Sequence, residues 1–135
     1  MPVSTQREKE ILQQARTIAV VGHSDNPLRP SHRIASSLRE AGYRVYAVNP
    51  HFKWLDGERV YPELAALPEV PDIVSIFRRS EYLLGHVRQA IEIGAPVVWA
   101  QLGVHDDAAV RLAESAGIEI ITDKCIKVSL TFLLA

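Results

Sequence analysis

A single cysteine, Cys125, is all this chain has. No internal disulfide can close, and a reducing compartment suits such a protein. Excess charge is missing as well. Fifteen Lys and Arg stand against 16 Asp and Glu, a formal net charge of -1. That balance gives no general attraction to nucleic acid or to an acidic membrane, so an anionic ligand has to be caught locally. No apolar run approaches membrane-spanning length. The N-terminal "MPVSTQREKEILQQA" is polar and helical, without the apolar core of a signal peptide. These absences predict a soluble cytoplasmic protein.

Nucleotide fingerprints are missing too. A Walker loop needs G-x-x-x-x-G-K-[ST], and nothing after Gly22 supplies it. The dinucleotide loop needs G-x-G-x-x-G, but Ser24 takes the second glycine position and Pro27 the third. The acid that would hold an NAD ribose at the end of the second strand is replaced by "VNP". There is no G-x-S-x-G elbow. His23, His32, His51, His86 and His105 form no metal-ligand motif. No catalytic residue and no metal site is assigned.

What the chain does contain is 135 residues at 47% hydrophobic content, enough to build one domain over residues 1–135. Short apolar runs alternate with amphipathic stretches. Ser4 or Thr5 caps a first helix with Ile11, Leu12 and Ala15 on one face. "TIAVVG" (17–22) is continuous, β-branched and apolar, which predicts a strand buried on both faces. A helix follows over 31–41, with Ser31 as cap and Gly42 as terminator. "YRVYAVNP" (43–50), "DIVSIF" (72–77), "PVVWAQ" (96–101) and "IEIIT" (118–122) predict further strands, and "RVY" (59–61) a short extra one. Pro62 opens a helical turn in "PELAAL", Ser80 caps a helix ending at Gly94, and 106–117 is a helix with acids in its first turn. The tail from Lys124 to Ala135 is mixed, with "SLTFLLA" able to form a docking helix. The alternation predicts an α/β, Rossmann-like, doubly wound and mainly parallel sheet of five to six strands, with helices on both faces.

Ligands of such sheets lie outside the carboxyl ends of the strands. Five segments qualify: "GHSDNPLR", "NPHFK", "FRRS", "QLGVHD" and "TDKC". In the first, Gly22 admits close backbone approach. Ser24, Asp25 and Asn26 are turn formers that can leave N–H groups pointing outward, and the next helix presents its N-terminus. Arg29, His32 and Arg33 add positive charge nearby. Lys53 either meets a phosphate or is a solvated loop residue. Of the consecutive Arg78 and Arg79, Arg78 is taken as the one facing the cleft. Phe77 either offers a stacking face or belongs to the core. Lys124 can lower the pKa of the Cys125 thiol, the alternative being an inert packed cysteine.

Taken in order, "IAVVGHSDNPLRPSH", "GYRVYAVNP", "PDIVSIFRRS", "VVWAQLGV" and "AGIEIITDKCIKV" resemble the small stand-alone CoA-binding proteins. These are related to the CoA-binding domain of the succinyl-CoA synthetase alpha subunit. The resemblance spans Thr17 to Val128. It implies coenzyme A or acyl-CoA as ligand and Gly22, Ser24, Asn26 and Pro27 as phosphate-loop positions. It also implies Pro50 and Lys53 after the second strand, Phe77 and Arg78 after the next, and Ala100, Gln101 and Leu102 beside the pantetheine arm. Arg29, Lys53 or Arg78 can pair with the 3′-phosphate. Asp123-Lys124-Cys125 departs from the usual asparagine, base, cysteine sequence of the last loop, and the synthetase's phosphohistidine domain is absent. The resemblance therefore implies a non-catalytic binding module. An acyl-CoA-dependent or thiol-exchange enzyme using Cys125 is one alternative, and an NAD(P)-binding regulator is another.

Overall fold

The computed structural model describes residues 2–134; Met1 and Ala135, the ends of the expected domain and tail helix, lie outside the described residues. Seven strands form one sheet: β1 (Thr17–Val21), β2 (Arg44–Val48), β3 (Trp54–Leu55), β4 (Glu58–Tyr61), β5 (Ile73–Ile76), β6 (Val97–Ala100) and β7 (Glu119–Ile121). Five α-helices accompany them: α1 (Thr5–Gln14), α2 (Pro30–Glu40), α3 (Leu83–Ile93), α4 (Asp107–Ser115) and α5 (Ile126–Leu134). The order across the sheet is β3-β4-β2-β1-β5-β6-β7. Every pairing is parallel except β3 with β4. The fold is Rossmann-like.

The central strands are buried on both faces because each successive side chain enters a different core. On β1, Ala19 and Val21 join the core under α3 and α4, with Val87, Ala90, Ala109 and Ala113. Ile18 and Val20 join the opposite core, with Leu12 of α1, Leu38 of α2 and Ile126 of α5. Trp99 is fully buried in that second core and donates its indole N–H to the Lys124 carbonyl at 3.0 Å. The expected tail helix is α5, and it packs against α1 and α2. Among the described residues, no helix is long and apolar enough to cross a membrane.

Several local expectations need correction. The sheet has seven strands, not five to six: the short extra strand expected at 59–61 is β4, and the unexpected β3 pairs with it as an edge hairpin. Asp56 and Gly57 turn that hairpin with φ of 50° and 80°, the geometry of a two-residue type I′ turn. Ser31 does not cap α2. It sits inside the helix, buried, and its hydroxyl accepts the Ser24 N–H at 2.9 Å. Ser80 does not cap α3 either. It opens a 3₁₀ turn (Ser80–Tyr82), and its hydroxyl accepts the His105 N–H at 3.0 Å. The turn after β4 is a 3₁₀ segment, Leu64–Ala66, so Pro62 precedes it and does not open it.

Candidate functional site

β1 lies at the switch in strand order. The chain builds outward from it through β2 to β4, then returns to β5 on its other side. The loops after β1, β2, β5 and β6 therefore diverge around a crevice at the carboxyl edge. Two adjoining clefts occupy it, of about 640 Å³ and 420 Å³. Gly22, Asn49, His51, Phe77 and Arg78 line both and form the partition between them.

The partition is tight. Gly22 has φ of 86°, and a Cβ placed there would lie 2.8 Å from the Phe77 carbonyl oxygen and 3.2 Å from Arg78 Cγ. The Gly22 N–H continues the ladder to Val48 at 2.9 Å. Beyond it the β1 loop is stapled from within. His23 is buried, and one ring nitrogen lies 2.9 Å from the Ser24 carbonyl and the other 3.3 Å from the Arg39 guanidinium. Arg39 can only donate, so Nε2 accepts and Nδ1–H donates to Ser24. Ser24 Oγ accepts the Asn26 N–H, and Asn26 Oδ1 accepts the Leu28 N–H. The Arg29 N–H bonds the Asn26 carbonyl. Of Ser24, Asp25 and Asn26, expected to leave N–H groups pointing outward, Ser24 and Asn26 instead have theirs bonded within the loop, as do Leu28 and Arg29 further on.

Of the residues expected at the site, Gly22, Ser24, Arg29, Phe77, Arg78, Gln101 and Leu102 line the larger cleft. Pro50 lines the smaller one. Asn26, Pro27, Lys53 and Ala100 line neither. Asn26 is used in the turn, and Ala100 is fully buried in the α3/α4 core. Lys53 leads straight into the edge hairpin, where its carbonyl accepts the Val60 N–H at 2.9 Å. Cys125 is half-buried against the α1/α2/α5 core and lines neither cleft. The Lys124 ammonium, expected to act on that thiol, is 2.6 Å from the buried carboxylate of Glu8.

Sequence reasoning missed Asn49 and His51. Asn49 Nδ2–H donates to the His23 carbonyl at 3.1 Å and its Oδ1 accepts the His51 N–H, which joins the β1 and β2 loops. The "NP" turn dipeptide was the available signal. His86 and Gln89 of α3, bonded to each other at 2.9 Å, wall the smaller cleft. Burial holds the imidazoles of His23 and His86 below their ordinary value of about 6.5, desolvation being the main cause at both. An unfolded chain takes up these protons as pH falls through about 6.5, while the folded one resists, so stability is full above that pH and declines below it. Thermal unfolding at pH 5.5 is therefore expected at a lower Tm than at pH 7.5. A His86→Gln variant should show a smaller drop; an unchanged drop would remove His86 from the effect.

An open, mainly parallel sheet with a divided, arginine-flanked crevice at its switch point defines a Rossmann-like ligand-binding domain. The chain belongs to the CoA binding domain family, whose model matches residues 16–131. It is 41% identical over 121 residues to the uncharacterized protein YneT of Bacillus subtilis, covering 90% of each chain. A hypothetical protein from Pyrococcus horikoshii has the same fold at a TM-score of 0.94 and 32% identity, over 100% of this chain and 97% of its own. The ADP-forming acetate–CoA ligase I of Archaeoglobus fulgidus is 27% identical over 122 residues. That match takes in 82% of this chain but 18% of the ligase.

Proposed function

We propose that this protein binds CoA or acyl-CoA across the divided crevice and acts as a binding module without chemistry of its own. The observation that carries the reading is the partition at Gly22, where a side-chain-free turn meets the Phe77 carbonyl and the Arg78 stem between two clefts of different character. In this reading the smaller cleft, with Asn49, His51, His86 and Gln89, takes the adenine and ribose. The phosphates cross at Gly22 under Arg29, Arg78 and Arg79. The pantetheine arm runs along the larger cleft past Phe77 toward the loop after β6. Neither Arg29 nor Arg78 has a carboxylate within ion-pair distance among the described residues, so both charges are available to phosphate.

Thermal unfolding with added ligand tests this. A ligand at a hundred times its Kd stabilises the folded state by about 2.7 kcal/mol, a Tm rise of about 10 °C for a chain of this size. CoA is expected to produce such a shift, dephospho-CoA a smaller one and NAD the least. Equal shifts for the three, or none, would refute the assignment.

A further inference from the structure

The loop from Gln101 to His105 closes one wall of the larger cleft, and it is clamped from both sides. Asp123 Oδ1 accepts the Gly103 N–H at 2.6 Å, and the Asp123 N–H donates to the Val104 carbonyl at 3.0 Å. Asp123 takes φ of 56° to make both bonds, a left-handed conformation uncommon for a residue with a side chain. From the other side, Ser80 Oγ accepts the His105 N–H, and the Gln101 N–H bonds the Ile76 carbonyl at 3.2 Å. The His105 ring lies 2.7 Å from Thr122 Oγ1. This bonding holds Leu102 at the crest of the loop, 69% exposed. The β1 loop does the same with Leu28, 82% exposed and fixed by Asn26, next to the cleft-lining Arg29 and Pro30. Phe52, Phe77 and Val104 add apolar surface to the same cleft.

Single exposed leucines are common on protein surfaces. Here, however, two stand on hydrogen-bonded loops beside one cleft, and the bonds fix the backbone that presents each of them. We propose that the clamped loop is a shelf for the aliphatic chain of an acyl-CoA, with Leu102 its contact surface and Asp123 the positioning residue that fixes it. The inference rests on the CoA reading above. With the phosphates held at the arginines, the arm ends at this loop. Free CoA would end there in a thiol and leave the shelf wet, whereas an acyl chain would cover it.

Titration calorimetry with CoA, hexanoyl-CoA and adenosine 3′,5′-bisphosphate tests the proposal. A fully buried methylene is worth up to about fourfold in affinity, and a half-covered chain less. Hexanoyl-CoA is therefore expected to bind roughly tenfold more tightly than CoA. Leu102→Ser should weaken hexanoyl-CoA more than CoA and cut that ratio to under about threefold. Asp123→Ala should weaken hexanoyl-CoA far more than adenosine 3′,5′-bisphosphate, which has no arm. Asp123→Asn, whose side-chain oxygen can accept the same Gly103 N–H, should keep the preference. Equal wild-type affinities for CoA and hexanoyl-CoA overturn the shelf and leave the CoA reading standing. Failure of all three ligands to bind overturns both. A full preference in the exposed Leu102→Ser variant overturns the assignment of Leu102, even if Asp123→Ala does not fold.

Discussion

Gly22→Ala is expected to lower stability by about 3 kcal/mol, a Tm loss of about 10 °C, and to abolish the shift produced by CoA. Two separate costs combine at this position. The φ of 86° is one that residues with a Cβ rarely adopt. The added methyl would also meet the Phe77 carbonyl oxygen at 2.8 Å, and a backbone atom just past β5, whose residue is bonded to Val21 of β1, cannot swing away as a side-chain tip can. Gly94→Ala separates the two costs. Gly94 has φ of 78°, but nothing lies within 4 Å of its missing Cβ, so its replacement should cost only about 1 kcal/mol. Differential scanning calorimetry of both variants decides the matter. Equal losses would show that the close approach at the partition has no energetic weight. A Gly22→Ala protein that keeps the full CoA shift would detach the partition from binding.

The parts of this fold that were readable in sequence are those where burial dictates composition. β1 is continuously apolar because both of its faces are covered, and that run marks a central strand without further information. The loops at the carboxyl edge were readable for the complementary reason: turn formers and cations gather where strands end. What escaped depends on contacts between distant segments. Ser31 and Ser80 each stand where a helix cap is expected, yet their hydroxyls serve amides 7 and 25 residues away. A serine near a helix start satisfies local and distant donors alike, and local pattern cannot tell which. The amides of the β1 loop turn inward onto the Ser24, Asn26 and Ser31 side chains, so the same turn formers that suggested outward N–H groups are the acceptors that consume them. Lys53 fell outside the cleft because the edge hairpin begins immediately after it. There the sequence did carry the signal, since Asp56-Gly57 is the dipeptide of a type I′ turn. Asp123 is the reverse case. Judged by charge alone, it opposes a phosphate. In the fold its carboxylate is taken by the Gly103 N–H, in the wall of the larger cleft.

Arg78→Ala is expected to weaken CoA by about tenfold to a hundredfold, the range of a lost charge-assisted pair with phosphate, and dephospho-CoA by clearly less. The side chain lines both clefts, with its stem against Gly22. Its guanidinium carbon lies 4.2 Å from the centre of the Tyr82 ring. A ring face orients a cation without neutralising it, as a carboxylate would. Arg79 shares the same ring from 5.6 Å but pairs with Glu81 at 3.2 Å, so its charge is already partly answered. The position of Arg78, between the cleft assigned to the base and the turn assigned to the pyrophosphate, is where the ribose 3′-phosphate would stand. Arg78→Lys should recover part of the affinity, since the charge stays while the planar fork and ring contact are lost. Folding should be little affected, because a half-exposed side chain with no ion pair leaves no buried charge unpaired when removed. Calorimetric titration of the three proteins with both ligands tells the outcomes apart. Equal losses for CoA and dephospho-CoA would move Arg78 to the pyrophosphate. An unchanged affinity for both would leave the guanidinium without a role in the site.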